Sequence, residues 1–246
     1  MKDHKERFSN RVDDYKKYRP SYPSQIISCL NEKCGLTSSS TIADIGSGTG
    51  IFTKLLLQHW FIVKAVEPNE SMRRQAESDL SSFSNFGSIN GSAENTTLES
   101  NSIDLITSCQ AFHWFDHDKC KVEFKRIIRK NGCAALIWNE RLTDSTFMRG
   151  YENLLTELEN RRMVDPATIS AFYAPNKYEV VKFPNKQTFD LTGLKGRFLS
   201  RSYAPKDDEK GHTEALEMLE SLFKKCNENG HVDFNYSTVV YLGVLK

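Results

Sequence analysis

The stretch "TIADIGSGTG", residues 41–50, constrains this chain more than any other feature of its sequence. An apolar run ends at Asp44, and Gly46, Gly48 and Gly50 follow at alternate positions before the helix-like "IFTKLLL". Glycine permits positive φ and close approach of another group to the backbone, because it lacks a Cβ. The pattern predicts a strand, a bare turn and a helix. A bound ligand at the turn is the first hypothesis, and a tight turn without a ligand is its alternative.

Glycine spacing argues against two common nucleotide sites. A dinucleotide fingerprint that starts at Gly46 needs a third glycine where this chain has Ile51. A phosphate-binding loop needs Lys followed by Ser or Thr after Gly50, where Ile51 and Phe52 stand. Glu67, by contrast, ends the next apolar run, where a carboxylate can accept hydrogen bonds from both hydroxyls of a ribose. The turn and this acid together favour a nucleoside cofactor.

Strand-like and helix-like segments alternate along the first 140 residues. We predict a first helix that ends at Gly35, and helices after the strands that end near Asp44 and Glu67, the second of them capped by Asn69. After the strand that ends near Gln110 we predict a helix over 116–132, which Asn131 and Gly132 terminate, and then a strand over 133–139. Such alternation is typical of an α/β Rossmann-like three-layer sandwich with a mostly parallel sheet. Ligands of such folds bind at the carboxyl ends of the strands.

Composition narrows the class of protein. The 246 residues are 39% hydrophobic and 26% charged, which suits a single domain, and the net charge of +1 gives no sign of a nucleic-acid partner. The polar start lacks the apolar core of a signal peptide, and no later run has membrane-spanning length, so we expect a soluble, cytoplasmic protein. The six cysteines lack metal-site spacing, and we expect no metal.

The motifs resemble those of a known family. "DIGSGTG", the acid in "AVEPNESM", "GSAENTTLESNSIDLITSCQAFHWFD" and "IIRKNGCAALIWNER" are similar, in order and spacing, to class I S-adenosylmethionine-dependent methyltransferases. The likeness is greatest to the small-molecule branch called methyltransferase type 11, which includes proteins similar to trans-aconitate methyltransferases. It implies a seven-stranded sheet with an antiparallel last strand, and S-adenosylmethionine as cofactor.

The resemblance also implies the residues of the cofactor site. Gly46 and Gly48 would let the methionine part of the cofactor pass over the turn, and Glu67 would hold the ribose. Ser92, where many relatives have Asp, would border the adenine. The full expected set is Tyr18, Arg19, Asp44, Gly46, Ser47, Gly48, Glu67, Pro68, Met72, Ser92, Ala93, Glu94, Gln110 and Ala111.

Candidates for the acceptor side follow the later strands. His113 and Arg141 are the catalytic candidates, as a base and as an anion contact, although a packed ring explains His113 equally well. The expected substrate-binding set is Tyr15, His113, Trp114, Asn139 and Tyr173. Residues 1–24 would form an N-terminal arm, and 140–204 a helical and aromatic insert that acts as a lid within one domain.

The sequence therefore predicts methyl transfer from S-adenosylmethionine to a small molecule, with an oxygen nucleophile as the expected acceptor. A catalytically silent cofactor-binding partner protein, and a methyltransferase acting on tRNA or protein, remain as alternatives. Whether the chain is a monomer or a dimer stays open.

Overall fold

Strands and helices alternate as predicted in the computed structural model, which describes residues 18–156, 164–201 and 211–245. The strands are β1 Thr41–Ile45, β2 Ile62–Val66, β3 Phe86–Ile89, β4 Ile103–Cys109, β5 Ile128–Arg141, β6 Tyr178–Phe189 and β7 Val232–Val244. The α-helices are α1 Gln25–Cys34, α2 Ile51–Gln58, α3 Glu70–Leu80, α4 His117–Ile127, α5 Thr146–Thr156, α6 Pro166–Tyr173, α7 Leu191–Leu199 and α8 His212–Cys226. A short 3₁₀ turn covers Phe112–Trp114.

All seven strands belong to one sheet, in the order β3-β2-β1-β4-β5-β7-β6. The first five strands pair in parallel, whereas β7 is antiparallel to both β5 and β6. This confirms the expected Rossmann-like class and the antiparallel last strand. Because β1, β2, β4 and β5 run the same way, the residues that follow them meet at one edge of the sheet.

Side chains of the strands alternate between two cores. Ile42 of β1 packs with α1, α2 and α3 on one face, and Ala43 packs with α4 and α6 on the other. The period of two follows from strand geometry, in which successive side chains point to opposite faces. The sheet is thus the middle layer of three.

A third cluster lies where β6 and β7 extend past the main sheet. Here α5, α7 and α8, which we call the helix group, pack on Phe189, Phe234 and Tyr236. Within the predicted insert 140–204 the elements divide: α5 and α7 join the helix group, whereas β6 is a sheet strand and α6 covers the sheet. The predicted helical stretch 157–162 lies outside the described residues.

Predicted helix ends are confirmed where a side chain or glycine sets them. Gly35 closes α1 at φ 61°, and the side chains of Asn69 and Asp116 cap α3 and α4. The predicted extent of α4 is wrong, since the helix ends at Ile127 and β5 begins at Ile128. Ser102, just before β4, donates its N–H to the carbonyl of Ile127, so pairing with the chain that enters β4 replaces the predicted last helical turn.

None of the helices within the described ranges combines the length and apolar character needed to cross a lipid bilayer.

Candidate functional site

Backbone N–H groups of the turn after β1 point back into the protein. Gly46 and Ser47 donate to the carbonyl of Val66 at 2.9 and 3.2 Å, and Gly48 donates to Glu67 Oε2 at 2.9 Å. A phosphate-binding loop instead aims such donors at its ligand. Because β2 and Glu67 already use these three donors, the turn is not arranged to hold a phosphate.

The three glycines of the turn differ in how close a Cβ at each position would lie to neighbouring atoms. All three have positive φ, and a Cβ added at Gly46 would lie 2.6 Å from the Ala111 methyl group. A Cβ at Gly50 would lie 2.8 Å from a leucine side chain of α3. At Gly48 the nearest atom would be Met72 Sδ at 3.8 Å. Packing thus requires Gly46 and Gly50 to be bare, and the open space lies above Gly48.

Glu67, at the end of β2, forms hydrogen bonds to the glycine turn and to the residues that follow β2. Its Oε2 accepts from Gly48 N–H, and its Oε1 accepts from Asn69 N–H at 2.8 Å. Pro68 lies between Glu67 and Asn69 in the chain, and the carbonyl of Pro68 accepts from a guanidinium nitrogen of Arg73 at 3.5 Å. Burial raises the pKa of Glu67, and the two backbone hydrogen bonds oppose that shift. Each carboxylate oxygen keeps a second lone pair, so the group can still accept hydroxyl donors.

Asp44 lies below the turn, almost fully buried. It accepts hydrogen bonds from Thr53 Oγ1 at 2.6 Å and Thr107 Oγ1 at 2.9 Å. Burial raises its pKa to about 6, although both hydroxyls act to lower it. The backbone of Thr53 is a further hydrogen-bond partner, and a buried carboxylate held by such neutral donors attracts a positive group that reaches this edge of the sheet.

The loop after β3 closes the side of the site beyond Glu67. Ser92 and Asn95 exchange two backbone hydrogen bonds, and Ala93 is buried. Glu94 Oε1 accepts from the N–H of Asp116 at 2.9 Å, which joins this loop to the start of α4. The expected adenine-side residues therefore form one connected wall.

Gln110 and Asn139 connect the ends of β4 and β5. Gln110 has φ 55°, which is uncommon for a residue with a side chain and is found often at functional sites. Its Nε2 donates to the Asn139 carbonyl at 3.3 Å, and the Asn139 amide donates to the Ser21 carbonyl at 3.2 Å. Thr238 Oγ1 donates to Asn139 Oδ1. The arm before α1 is thereby held across the strand ends.

His113 and Trp114 occupy the 3₁₀ turn directly after Gln110 and Ala111. Their rings are 4.9 Å apart between centroids, and both side chains are half-buried. The neighbouring His117 stacks on Phe112 and contacts the Phe112 carbonyl at 3.1 Å, so it has a packing role. His113 is the histidine at the strand end.

Arg141 is held in an ion pair at the end of β5. Its Nε and Nη2 donate to the two carboxylate oxygens of Glu152 at 2.8 and 3.2 Å. Burial is the largest single influence and acts to lower the pKa of Arg141, yet the hydrogen bonds to Glu152 and the charge of Glu152 together raise that pKa. Its planar fork is thus already occupied by a carboxylate of α5.

Three expected residues have their described contacts away from the glycine turn. The Tyr18 carbonyl accepts from Gln187 of β6, and Arg19 donates to the carbonyl that follows α7, four strands from β1. The Tyr173 hydroxyl donates to the Ala134 carbonyl at 3.0 Å, and Ala134 lies about 16 Å along β5 from Asn139. Tyr15 lies outside the described residues.

Sequence reasoning missed several residues that hold the site. The partners of Asp44 are Thr53, on the helix after the glycine turn, and Thr107, on the strand that ends near Gln110. A threonine in the element on each side of Asp44 is a signal that could have found them. Thr238 and Asn185, which contact Asn139, belong to distant strands. Their sequence context carries no comparable signal.

The edge of the sheet thus offers two buried carboxylates, an open space over Gly48 and a histidine. In the part of the chain that the structure describes, no three His, Cys, Asp or Glu side chains are grouped to hold a metal ion. Carboxylate acceptors suit ribose hydroxyls and a positively charged centre, and the used N–H groups do not suit phosphates.

Comparisons with known proteins agree with this geometry. Residues 43–136 match the family model described as a methyltransferase domain. The chain thus contains a methyltransferase domain over these residues. It is 28% identical over 246 residues to an uncharacterized methyltransferase of Schizosaccharomyces pombe, across 95% of each chain.

Solved structures share the fold of this methyltransferase. A protein from Anaeromyxobacter dehalogenans, provisionally described as a type II methyltransferase, superposes with a TM-score of 0.69 at 19% identity, covering 93% of this chain and 98% of that one. The geranyl diphosphate C-methyltransferase of Streptomyces coelicolor, solved with S-adenosyl-L-homocysteine, gives 0.52 at 13% identity, over 91% and 79% of the two chains. Methyltransferase activity that uses S-adenosylmethionine is supported.

Proposed function

We propose that this methyltransferase transfers a methyl group from S-adenosylmethionine to an oxygen atom of a small molecule. The observation that carries the cofactor half of the proposal is the buried Glu67 carboxylate beside the open space over Gly48. A ligand seated there meets acceptor groups for ribose hydroxyls on one side and the thioether of Met72 on the other.

The cofactor residues have separate tasks in this proposal. Glu67 accepts from the ribose, and Ser92, Ala93 and Glu94 border the adenine. Asp44, buried beneath the turn, favours the positive end of the ligand electrostatically. Gln110 and Ala111 line the side from which the methyl group leaves.

When bound, S-adenosylmethionine supplies a methyl carbon activated by positive sulfur. The acceptor oxygen forms a bond to this carbon, the carbon–sulfur bond breaks, and its electron pair stays on sulfur. The protein mainly aligns the two partners and excludes water, since no protein nucleophile is needed. A hydroxyl acceptor must also lose a proton, and His113 is the side chain at this strand end that can take it.

Cofactor binding is tested first. Calorimetry should show that the purified chain binds S-adenosylhomocysteine and not NAD. Saturable binding of NAD, together with no binding of S-adenosylhomocysteine, would overturn the cofactor assignment.

The acceptor is tested by product formation. We expect S-adenosylhomocysteine to accumulate with at least one member of a panel of small acids, alcohols and amines. Methylation of tRNA or protein alone would overturn the small-molecule proposal, and cofactor binding without turnover on any of these acceptors would favour the silent partner protein.

For the base role, His113→Gln should lower kcat with a hydroxyl acceptor by about 100-fold or more, and should change KM little. The exposed His59→Gln is the matched control. Unchanged kcat in His113→Gln would remove the histidine from the reaction.

A further inference from the structure

The side-chain amide of Gln110 is fixed at its nitrogen and open at its oxygen. Its Nε2 donates to the main-chain carbonyl of Asn139 at 3.3 Å. Because a carbonyl only accepts hydrogen bonds, the amide nitrogen has to face β5, and the amide oxygen points to the other side. Within the described ranges no residue donates to Oε1, and protein atoms do not enclose it, although the side chain is half-buried. Gln110 therefore offers an accessible hydrogen-bond acceptor.

Backbone contacts place Gln110 beside the glycine turn. The end of β4 packs directly on this turn, since a Cβ added at Gly46 would lie 2.6 Å from the Ala111 methyl group. The N–H of Gln110 donates to the Ile137 carbonyl of β5 at 2.9 Å, and the φ of 55° turns the chain out of the strand at this residue. Gln110 thus lies at the strand ends, between the turn and Asn139, where the acceptor approaches the methyl group in the proposed reaction.

The partner of this amide, Asn139, is itself held on several sides. Its Oδ1 accepts from Thr238 Oγ1 and from Asn185 Nδ2, and its own Nδ2 donates to the Ser21 carbonyl at 3.2 Å. These contacts fix the main chain that accepts the hydrogen bond from Gln110. The orientation of the Gln110 amide is therefore built into the fold, and Asn139 is the positioning residue for it.

Charges on the two neighbouring strands disfavour an anionic acceptor at this point. Asp44 of β1, the strand beside β4, is almost fully buried and is held by neutral donors. Arg141 of β5 is paired with both carboxylate oxygens of Glu152. A carboxylate acceptor would face the lone pairs of Oε1 and the negative charge of Asp44, while the fork of Arg141 is engaged. A hydroxyl has no charge and supplies the hydrogen that Oε1 can accept.

We infer that Gln110 selects a hydroxyl over a carboxylate as the methyl acceptor, because its Oε1 accepts the hydroxyl hydrogen. This hydrogen bond leaves a lone pair of the hydroxyl oxygen for the methyl carbon. The carbon–oxygen bond forms, and the carbon–sulfur bond breaks with its electron pair staying on sulfur. The O–H proton turns to His113 and passes to it, and the electron pair of that bond stays on oxygen. The inference rests on the proposed function, since it names the class of acceptor for that site.

Two competing explanations make different predictions. If Gln110 only joins β4 to β5, its loss lowers the free energy of unfolding and leaves the choice of acceptor unchanged. If Oε1 serves only the cofactor, its loss weakens binding of S-adenosylhomocysteine and again leaves that choice unchanged. Gln110→Met separates these explanations from selection, because methionine keeps an unbranched side chain of similar length and lacks the amide oxygen.

The first test is calorimetry on the full chain saturated with S-adenosylhomocysteine, with two matched pairs of probes: benzyl alcohol with benzoate, and hexanol with hexanoate. We expect the alcohol of at least one pair to bind wild type about 10-fold or more tightly than its carboxylate does. Gln110→Met should reduce this preference by about 3-fold or more, since the acceptor oxygen is lost. The exposed Gln58→Met, at the end of α2, is the matched control and should keep the preference.

The second test identifies the product. Wild type is incubated with methyl-labelled S-adenosylmethionine and the panel of small acids and alcohols. Methylation of a hydroxyl gives an ether that mild alkali leaves intact, whereas methylation of a carboxylate gives an ester that alkali cleaves to methanol. We expect the label to stay in alkali-stable product with wild type, and the alkali-labile share to rise with Gln110→Met.

Three results would overturn the inference while S-adenosylhomocysteine still binds. The first is failure of both alcohols to bind wild type more tightly than their carboxylates. The second is mainly alkali-labile product from wild type. The third is Gln110→Met that keeps the preference of wild type. Failure of wild type to bind S-adenosylhomocysteine, or to methylate any oxygen, would instead count against the proposed function, so the two kinds of failure are distinguishable.

Discussion

The two ends of the candidate site are built by contacts of different sequence range. Around the glycine turn, Glu67 contacts Asn69 and Gly48, 2 and 19 residues away, and Asp44 contacts Thr53 at a separation of 9. The contact of Asp44 with Thr107, 63 residues away, lies outside the turn motif. At the helix group, Arg197 and Tyr236 are 39 residues apart, and Arg19 and Ser200 are 181 apart. Short-range contacts leave a motif in the sequence, whereas long-range contacts depend on the completed fold.

This difference matches a division of tasks within the methyltransferase fold. One cofactor serves many acceptors, so its site can be made from short motifs that follow β1, β2, β3 and β4. The helix group and the strands under it are assembled from α5, α7, α8, β6 and β7, which approach one another only in the folded chain. The two ends should therefore respond differently to substitution.

The largest expected effect separates two glycines of the same turn. Gly46→Ala places a methyl group 2.6 Å from Ala111 at positive φ and should cost about 2–4 kcal/mol in the free energy of unfolding, from strain and overpacking. Gly48→Ala meets open space and should cost only the strain of about 1–2 kcal/mol. Urea unfolding of both variants measures this difference.

Cofactor binding should sharpen the contrast between these glycines. Because the open space lies over Gly48, Gly48→Ala should weaken S-adenosylhomocysteine more than its loss of stability suggests. If Gly46→Ala and Gly48→Ala proved equally stable, the packing role assigned to Gly46 would be wrong.

The next effect concerns the carboxylate that closes the turn. Glu67→Gln exchanges a charged acceptor for an amide and should weaken S-adenosylhomocysteine binding by about 1.5–3 kcal/mol, roughly 10- to 150-fold. The exposed Glu70→Gln on the adjoining helix is the control. Calorimetry giving the same dissociation constant for Glu67→Gln and wild type would exclude a ribose contact at Glu67.

Much of the fold could be predicted because local chemistry sets it. Gly35, Asn69 and Asp116 end or begin helices as their side chains dictate, and the alternation of strands and helices gives the parallel sheet. The end of α4 could not be predicted, because its last turn is replaced by hydrogen bonds from the strand before it, a tertiary contact that outweighs helix propensity.

The candidate site divides in the same way. Asp44, Gly48 and Glu67, chosen from the sequence, come together around the turn. Thr238 and Asn185, which contact Asn139, carried no recognisable motif, since they lie on strands far from it in the chain. Tyr173 stood out as an aromatic residue in the insert, but the structure uses it to fill the core beneath β5.

The smallest effect tests how each end compensates a buried carboxylate. Glu152 is paired with Arg141, whereas Asp44 has two hydroxyl donors. Burial raises the pKa of Asp44 from 3.8 to about 6, so the folded state binds this proton more readily than the unfolded state does. As the pH falls from 7 to 5, Asp44 becomes protonated in the folded state first, and folding gains about 1 kcal/mol from this group.

Asp44→Asn lacks that gain, so the free energy of unfolding of wild type relative to Asp44→Asn should rise by this amount between pH 7 and pH 5. Urea unfolding at both pH values measures the change, with the exposed Asp118→Asn as the control for loss of one negative charge. A difference that stays constant, or that shrinks at pH 5, would show that Asp44 is compensated at this edge by more than its two threonines.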